Sequence, residues 1–159
     1  MKNKSKSTIE LMISSSAEQM RLGFNIRAEV FVREQGVQPH VERDGKDQTA
    51  THYLAKLGDA AIGTARSRVL NQTEVKVERV AIIKEYRSLG LGFKFMQYIL
   101  TQLSGEGVVK VTIHAQADVV SFYRKLGFIS KGLEFIEAGI IHQEMSVSLT
   151  QTNVLSNPD

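Results

Sequence analysis

Between Glu74 and Ile83 the chain alternates apolar and polar residues, but the alternation changes phase partway, and a glycine-rich turn follows shortly after. Val75 and Val77 share one side, with Glu74, Lys76 and Glu78 on the other. Beyond Arg79 the apolar positions are Val80 and Ile82, which in a regular strand would point the opposite way. A one-residue bulge near Glu78–Val80 returns all four apolar residues to one side. The alternative is that Val80 and Ile82 pack against a helix on the second face. A bulge leaves backbone groups unpaired and splays neighbouring strands, so it opens a slot for an extended ligand.

The flanking segments tell what kind of sheet holds this strand. Residues 51–57 and 61–70 read as strands joined at Gly58-Asp59, and Asn71-Gln72 turns the chain into the third strand, which makes an antiparallel meander. Upstream, residues 8–14 read as a first strand. Ser16 is placed to cap a helix in which Met20, Phe24, Ile26, Val30 and Phe31 recur at helical spacing, ending by Gln35-Gly36. Residues 36–49 read as a loop. Downstream of the glycines a helix carries Phe95, Met96, Ile99, Leu100 and Leu103, and Gly105 and Gly107 end it. A β-branched run, 108–114, predicts a buried strand. Asp118 is expected to cap a short helix over 119–126, stopped by Gly127, and 128–131 and 140–149 read as the last strands. This order predicts an α/β (α+β) domain over residues 8–149, a mixed sheet of about seven strands with helices on both faces. Residues 1–7 and 150–159 read as flexible tails.

Composition narrows the chemistry. The 159 residues contain no cysteine, which removes disulfides, thiolate metal sites and a cysteine nucleophile. The four histidines, His40, His52, His114 and His142, lack close metal-ligand spacing, so no metal is expected. Twenty basic against seventeen acidic side chains give a net charge of +3. With no basic-aromatic run, that excess argues against a nucleic-acid partner. No apolar stretch approaches the length of a membrane span or a signal sequence, and a cytoplasmic protein is expected.

Arg87-Ser88-Leu89-Gly90-Leu91-Gly92 joins the third meander strand to the apolar helix. Closely spaced glycines let successive N–H groups converge, and the helix N-terminus adds partial positive charge, so the turn can cradle an anion. Arg87 and Lys94 offer further positive charge. Taken alone the turn serves equally well as a tight strand-to-helix connection. It is not a Walker loop, because no Gly-Lys-Ser/Thr follows. It is not a dinucleotide fingerprint either: the strands before it look antiparallel, and Phe95 stands where a third glycine belongs.

Strand, phase change, Arg-x-x-Gly-x-Gly, amphipathic helix, β-branched strand and Phe122-Tyr123-x-x-Leu126-Gly127-Phe128 follow in order. This succession resembles the GNAT superfamily of acyl-CoA N-acyltransferases. More narrowly, residues 26–146 resemble its YjcF/ElaA-type branch, through Ile26–Gln35, Asp44, Asp47, Glu78–Ile82, Ala115-Gln116, Phe122-Tyr123 and Ala138–Met145. The branch usually carries Pro where Ile141 stands here.

The resemblance implies transfer of an acetyl group from acetyl-CoA to a primary amine of a small molecule or peptide, by direct attack in a ternary complex. The alternative is a catalytically idle acyl-CoA-binding or sensor module. The backbone of Val80, Ala81 and Ile82 would meet the acyl and pantetheine portion of acetyl-CoA. The segment Arg87, Ser88, Leu89, Gly90, Leu91, Gly92 and Phe93 would hold the pyrophosphate, and Gln116 would contact pantetheine. Tyr123 is implied as the general acid that protonates the leaving thiolate. Glu78, beside the predicted bulge, is the candidate base for the attacking amine. His142 is a second base candidate, although a hydrogen-bonded structural role suits a lone strand histidine better, and His114 carries less functional weight still. Arg27, Glu34 and Gln35 on the first helix would border the acceptor, with Asp44 and Asp47 drawing in a cationic amine or making turn hydrogen bonds. The superfamily also suggests a homodimer.

Overall fold

The computed structural model describes residues 8–149. The terminal segments 1–7 and 150–159 lie outside the described residues. Strands β1 (Ile9–Ile13), β2 (Thr51–Leu57), β3 (Ala60–Val69), β4 (Glu74–Ile82), β5 (Lys110–Gln116), β6 (Ile129–Glu137) and β7 (Ile140–Ser148) form one mixed sheet. Their order is β1-β2-β3-β4-β5-β7-β6. The meander β2-β3-β4 is antiparallel, as its tight turns require, and β4 and β5 are the parallel pair. Among the described residues no helix is long and apolar enough to cross a membrane.

Helix α1 (Ala17–Arg27) starts where Ser16 accepts a hydrogen bond from the Gln19 amide at 3.1 Å, while the Gln19 side chain reaches back to the Ser15 amide. The helix then widens into a π-helical segment, Ala28–Glu34, and Gly36 closes it with φ +72°. The widened turn advances the Glu34-Gln35 end relative to a regular helix. Gly23 lets α1 settle on β3, since a Cβ there would lie 2.9 Å from Thr64 Oγ1. The loop after Gly36 contains one helical turn, α2 (Pro39–Glu42), with proline in its first turn.

Helix α3 (Leu91–Gly105) covers the opposite face. Its Phe95, Met96, Ile99 and Leu103 pack with Tyr53, Ile62, Val75, Val77, Val111, Ile113 and Met145, all buried. A smaller cluster on the α1 face contains Ile26, Val30, Leu54 and Ala81. Tyr53 and Leu54 thus serve different faces from adjacent positions, the alternation a two-sided sheet imposes. Each such apolar side chain contributes about 1.5–3 kcal/mol on burial.

Three expectations change. Helix α4 (Val120–Lys125) follows a single 3-10 turn, Ala117–Val119, and no side chain caps it, so Asp118 does not perform the expected capping. Strand β6 continues to Glu137 rather than stopping at Lys131, because Gly132 at φ +74° lets the ladder shift register between Lys131 and Phe135 and resume. The segment 36–49 is not wholly irregular, given α2.

Candidate active site

The phase change in β4 is a bulge. Thr64 pairs with Ala81 and Arg66 with Glu78, so Ala65 alone spans Arg79 and Val80. Arg79 takes φ +55°, and Val75, Val77, Val80 and Ile82 all pack on the α3-side core. A non-glycine residue there costs roughly 1–2 kcal/mol, and the Arg79 side chain offsets this by reaching the Glu42 carbonyl at 3.0 Å and Asp44 at 3.3 Å. The consequence lies one strand over. β4 and β5 pair only over Glu74–Lys76 against Lys110–Thr112, whereas β5 stays paired with β7 to Gln116. Beyond Lys76 the two parallel strands part, leaving a cleft of about 930 Å³.

One mouth of this cleft is the glycine-rich turn. Ser88 and Gly90 both take positive φ, at +64° and +75°. Gly90 is the N-cap of α3, and neither a side chain nor an acidic residue covers the first turn. Convergent N–H groups without an internal acceptor form an anion-binding concavity. Gly92 sits against Phe122 and Ile82, 3.6–3.8 Å from where a Cβ would stand, so the turn and α4 meet there. Tyr123 of α4 lines the cleft from the α3 side, packed edge-on to Phe122 and Phe128 at 5.1 and 5.5 Å. Burial pushes its phenol above the usual range, which keeps the hydroxyl protonated at neutral pH.

Over residues 5–149 the chain matches the acetyltransferase (GNAT) domain. It is 31% identical over 138 residues to the uncharacterized N-acetyltransferase YjcF of Bacillus subtilis (strain 168), a match covering 86% of this chain and 98% of that one. The chain belongs to the GNAT acetyltransferases. Among solved structures, Escherichia coli ElaA superposes with a TM-score of 0.79 at 27% identity, over 87% of this chain and 99% of that one. A GNAT family acetyltransferase from Elizabethkingia anophelis, solved with acetyl-CoA bound, shares the fold with a TM-score of 0.69 at 14% identity, over 92% of this chain and all of that one.

Several side chains of this GNAT protein stand in different company from what its sequence suggests. Glu78 lines the cleft, but its carboxylate is not free. Arg66 and Arg68 donate to it at 2.8–2.9 Å, and Lys76 lies 3.2 Å away. Burial works to raise its pKa, but the Arg68 hydrogen bonds and the Arg66 and Lys76 charges outweigh burial and hold it far below the carboxylate range. Held by these cations, Glu78 is a poor proton acceptor for an ammonium near neutral pH. Arg27 does not border an acceptor either. It is 2% exposed and donates to Glu42 and to Asp47, the latter at 2.6 Å. Asp44 and Asp47 are likewise committed, to Arg66 at 2.6 and 3.0 Å. Hydrogen bonding from Arg66 holds the Asp44 carboxyl well below the usual range.

Arg87 and Glu34, assigned to cofactor and acceptor respectively, are bound to each other through two hydrogen bonds of 2.7 and 2.8 Å. Arg87 also donates to the Ile82 carbonyl at 2.8 Å, so its guanidinium ties the exit of β4 to the π-helical segment and is not free beside the cradle. Lys94 remains exposed one turn into α3. Gln116 and Gln35 exchange reciprocal amide hydrogen bonds of 2.9 and 3.2 Å across the cleft wall, which fixes the Gln116 amide and leaves it one N–H and one lone pair for a further partner. His142 is buried and lines the cleft.

Sequence reasoning missed two contributors. Arg66 is fully buried in β3 and organises four carboxylates, directly or through shared partners. Its signal was a pair of arginines two apart in a strand otherwise rich in small apolar residues. Glu137 also lines the cleft, and lay in a stretch whose alternation Gly132 interrupts.

Proposed function

We propose that this GNAT acetyltransferase moves an acetyl group from acetyl-CoA to a primary amine of a small molecule or peptide, by direct attack within a ternary complex. The observation that carries the reading is the parting of β4 from β5 at the bulge, with the uncapped α3 turn at one mouth and Tyr123 on the wall. The β4 backbone at Val80, Ala81 and Ile82, which no longer pairs with β5, would meet the pantetheine amides much as a neighbouring strand does, the Ile82 carbonyl being already taken by Arg87. The amides from Leu89 to Phe93, helped by Ser88 and Gly90, would hold the pyrophosphate. The acetyl-CoA bound to the Elizabethkingia anophelis relative supports this donor.

Thioester aminolysis needs a proton delivered to the departing thiolate. Tyr123 would deliver it: its phenol is protonated at working pH and its ring is locked by Phe122 and Phe128. A cytoplasmic setting, where acyl-CoA donors circulate, goes with this reading.

The test is release of free thiol from acetyl-CoA across a panel of primary amines, for wild type and Tyr123→Phe. Amine-dependent release, slowed in the variant, is the expected result. Acetyl-CoA binding without release for any amine would refute transfer and leave an acyl-CoA-binding module.

A further inference from the structure

The hairpin β6–β7 builds a polar cluster that the reading above does not use. Strand register puts His114 opposite Glu144, Gln116 and Phe135 opposite His142, and Glu137 opposite Ile140. With side chains alternating along each strand, His114, Phe135, Glu137, His142 and Glu144 all share one face. It is the α1 face, because Met145, Ile113 and Ala115 of the same strands enter the α3-side core. Ala138-Gly139, at φ +51° and +76°, forms the tight turn that brings Glu137 back over His142.

Within this cluster the nitrogen roles are defined. His142 Nδ1 lies 2.7 Å from the Ile140 carbonyl, which can only accept, so Nδ1 carries the hydrogen. In the neutral ring Nε2 is then the nitrogen with a free lone pair. Glu137 Oε2 stands 3.9 Å from that Nε2, too far for a direct hydrogen bond and close enough to stabilise an imidazolium. The other oxygen of Glu137 meets His114 Nδ1 at 3.1 Å, and His114 Nε2 is 3.9 Å from Glu144. Phe135 stacks on His142 with ring centroids 5.9 Å apart and meets His114 edge-on at 4.9 Å, fixing both imidazole planes. His142 and Glu137 both line the cleft, and Glu137 is half exposed, which gives the cluster an outlet to water. Among the described residues no set of three such side chains is arranged to hold a metal.

Resting on the transfer reading above, we infer that His142 Nε2 is the proton acceptor for the attacking amine, that the Glu137 carboxylate draws in the cationic amine and steadies the imidazolium, and that His114 positions Glu137. The acceptor then enters on the α1 face, while Tyr123 works from the α3 side, so nucleophile and leaving group are served from opposite faces of the parted sheet. An ammonium gives up two protons during transfer. The first passes to His142 and frees the lone pair that forms the C–N bond at the thioester carbonyl. As the C–S bond breaks, its electron pair leaves on sulfur, which takes the Tyr123 proton. His142, having released the first proton past Glu137 to solvent, takes the second from the adduct nitrogen. Solvent then restores the phenol, and one net proton is released for each amide made.

The charged groups around His142 are Glu137 from β6, His114 from β5 and Glu144 from β7. Asp118 of the 3-10 turn packed against β7, Lys125 of α4 and the Glu34–Arg87 pair also line the cleft. Two measurements on the full chain test the assignment. Imidazole nitrogen NMR without acceptor should show His142 in the Nδ1–H form. Thiol release is then followed against pH with acetyl-CoA and 1,4-diaminobutane, tyramine, glycinamide or aniline. His142→Gln should lower kcat for the alkylamines by about a hundredfold with KM for acetyl-CoA unchanged, and should abolish the acidic limb of kcat/KM. The defect should be smaller for aniline, which is uncharged at neutral pH. Glu137→Gln should raise KM for the alkylamines with little change in KM for acetyl-CoA, and His114→Gln should raise it less.

Turnover by wild type with an unaltered rate and pH profile in His142→Gln would overturn the proton-acceptor role while the transfer reading stands. No release with any amine would overturn transfer, and this role with it. A KM for the alkylamines unchanged in Glu137→Gln would overturn the pairing.

Discussion

Two polar clusters occupy the α1 face of the sheet, and they are built on opposite plans. Around Arg66, charges are largely closed on one another: Arg27, Arg66, Arg68, Lys76 and Arg79 face Glu42, Asp44, Asp47 and Glu78, with Arg27, Arg66 and Glu42 buried, the others part-buried, and the Arg79 Nε left without a hydrogen-bond partner among the described residues. Around His142, the contacts are open: one imidazole nitrogen is committed to a backbone carbonyl, while the other has only a carboxylate at 3.9 Å. Desolvated ions hold a structure only when fully partnered, whereas a proton carrier must keep a lone pair unspent. The first cluster fastens the loop between α1 and β2 over the bulge in β4. The second leaves capacity for chemistry at the cleft.

The sharpest way to break the comparison is to open the closed cluster. Arg66→Ala leaves Asp44, Asp47 and Glu78 without their shared cation and should cost about 3–5 kcal/mol in urea unfolding. On the cleft side the losses should be kinetic. Tyr123→Phe is expected to lower kcat for thiol release by roughly a hundredfold, while thermal stability stays within about 1 kcal/mol of wild type.

Acid provides the next contrast. The folded-state pKa values of Asp44 and Glu78 are depressed by their arginines. Their stabilisation is therefore complete above the unfolded carboxylate pKa near 4 and declines as pH falls toward the folded values. Unfolding free energy should drop steadily below about pH 4, and Glu78→Gln should flatten that slope. The smallest effect is expected at Glu34. Its pair with Arg87 is part exposed, so Glu34→Gln should change stability by under about 1 kcal/mol. The freed guanidinium beside the cradle should tighten CoA binding a few-fold, in a manner that weakens with added salt. Unchanged CoA affinity would show that Arg87 is too distant to matter.

Much of the architecture was legible in the chain. The meander, the Ser16 cap, the Gly36 stop and the apolar stripe of α3 are local features, written in period and turn chemistry. The phase change at Glu78–Val80 was the most informative of them, since strand parity leaves few ways to bury Val75, Val77, Val80 and Ile82 together. Less was legible where a residue's role depends on distant partners. Glu78 sits beside the bulge as its position in β4 requires. Whether its carboxylate is free depended on Arg66 and Arg68, which the β3–β4 register carries across the sheet. Asp118 looked like a cap and is not one, because the chain makes a 3-10 turn before α4 begins.

By itself the sequence determined the meander, the start of α1, the apolar stripe of α3, the phase change in β4 and the glycine-rich turn, because each follows from interactions between residues close in the chain. Only the tertiary structure decided which charged side chains are spent and which are available. Arg87 met Glu34 across 53 positions, and Glu137 met His114 across 23. Charges act through space and their worth depends on burial, so pairings of that kind carry no local signature in the order of residues.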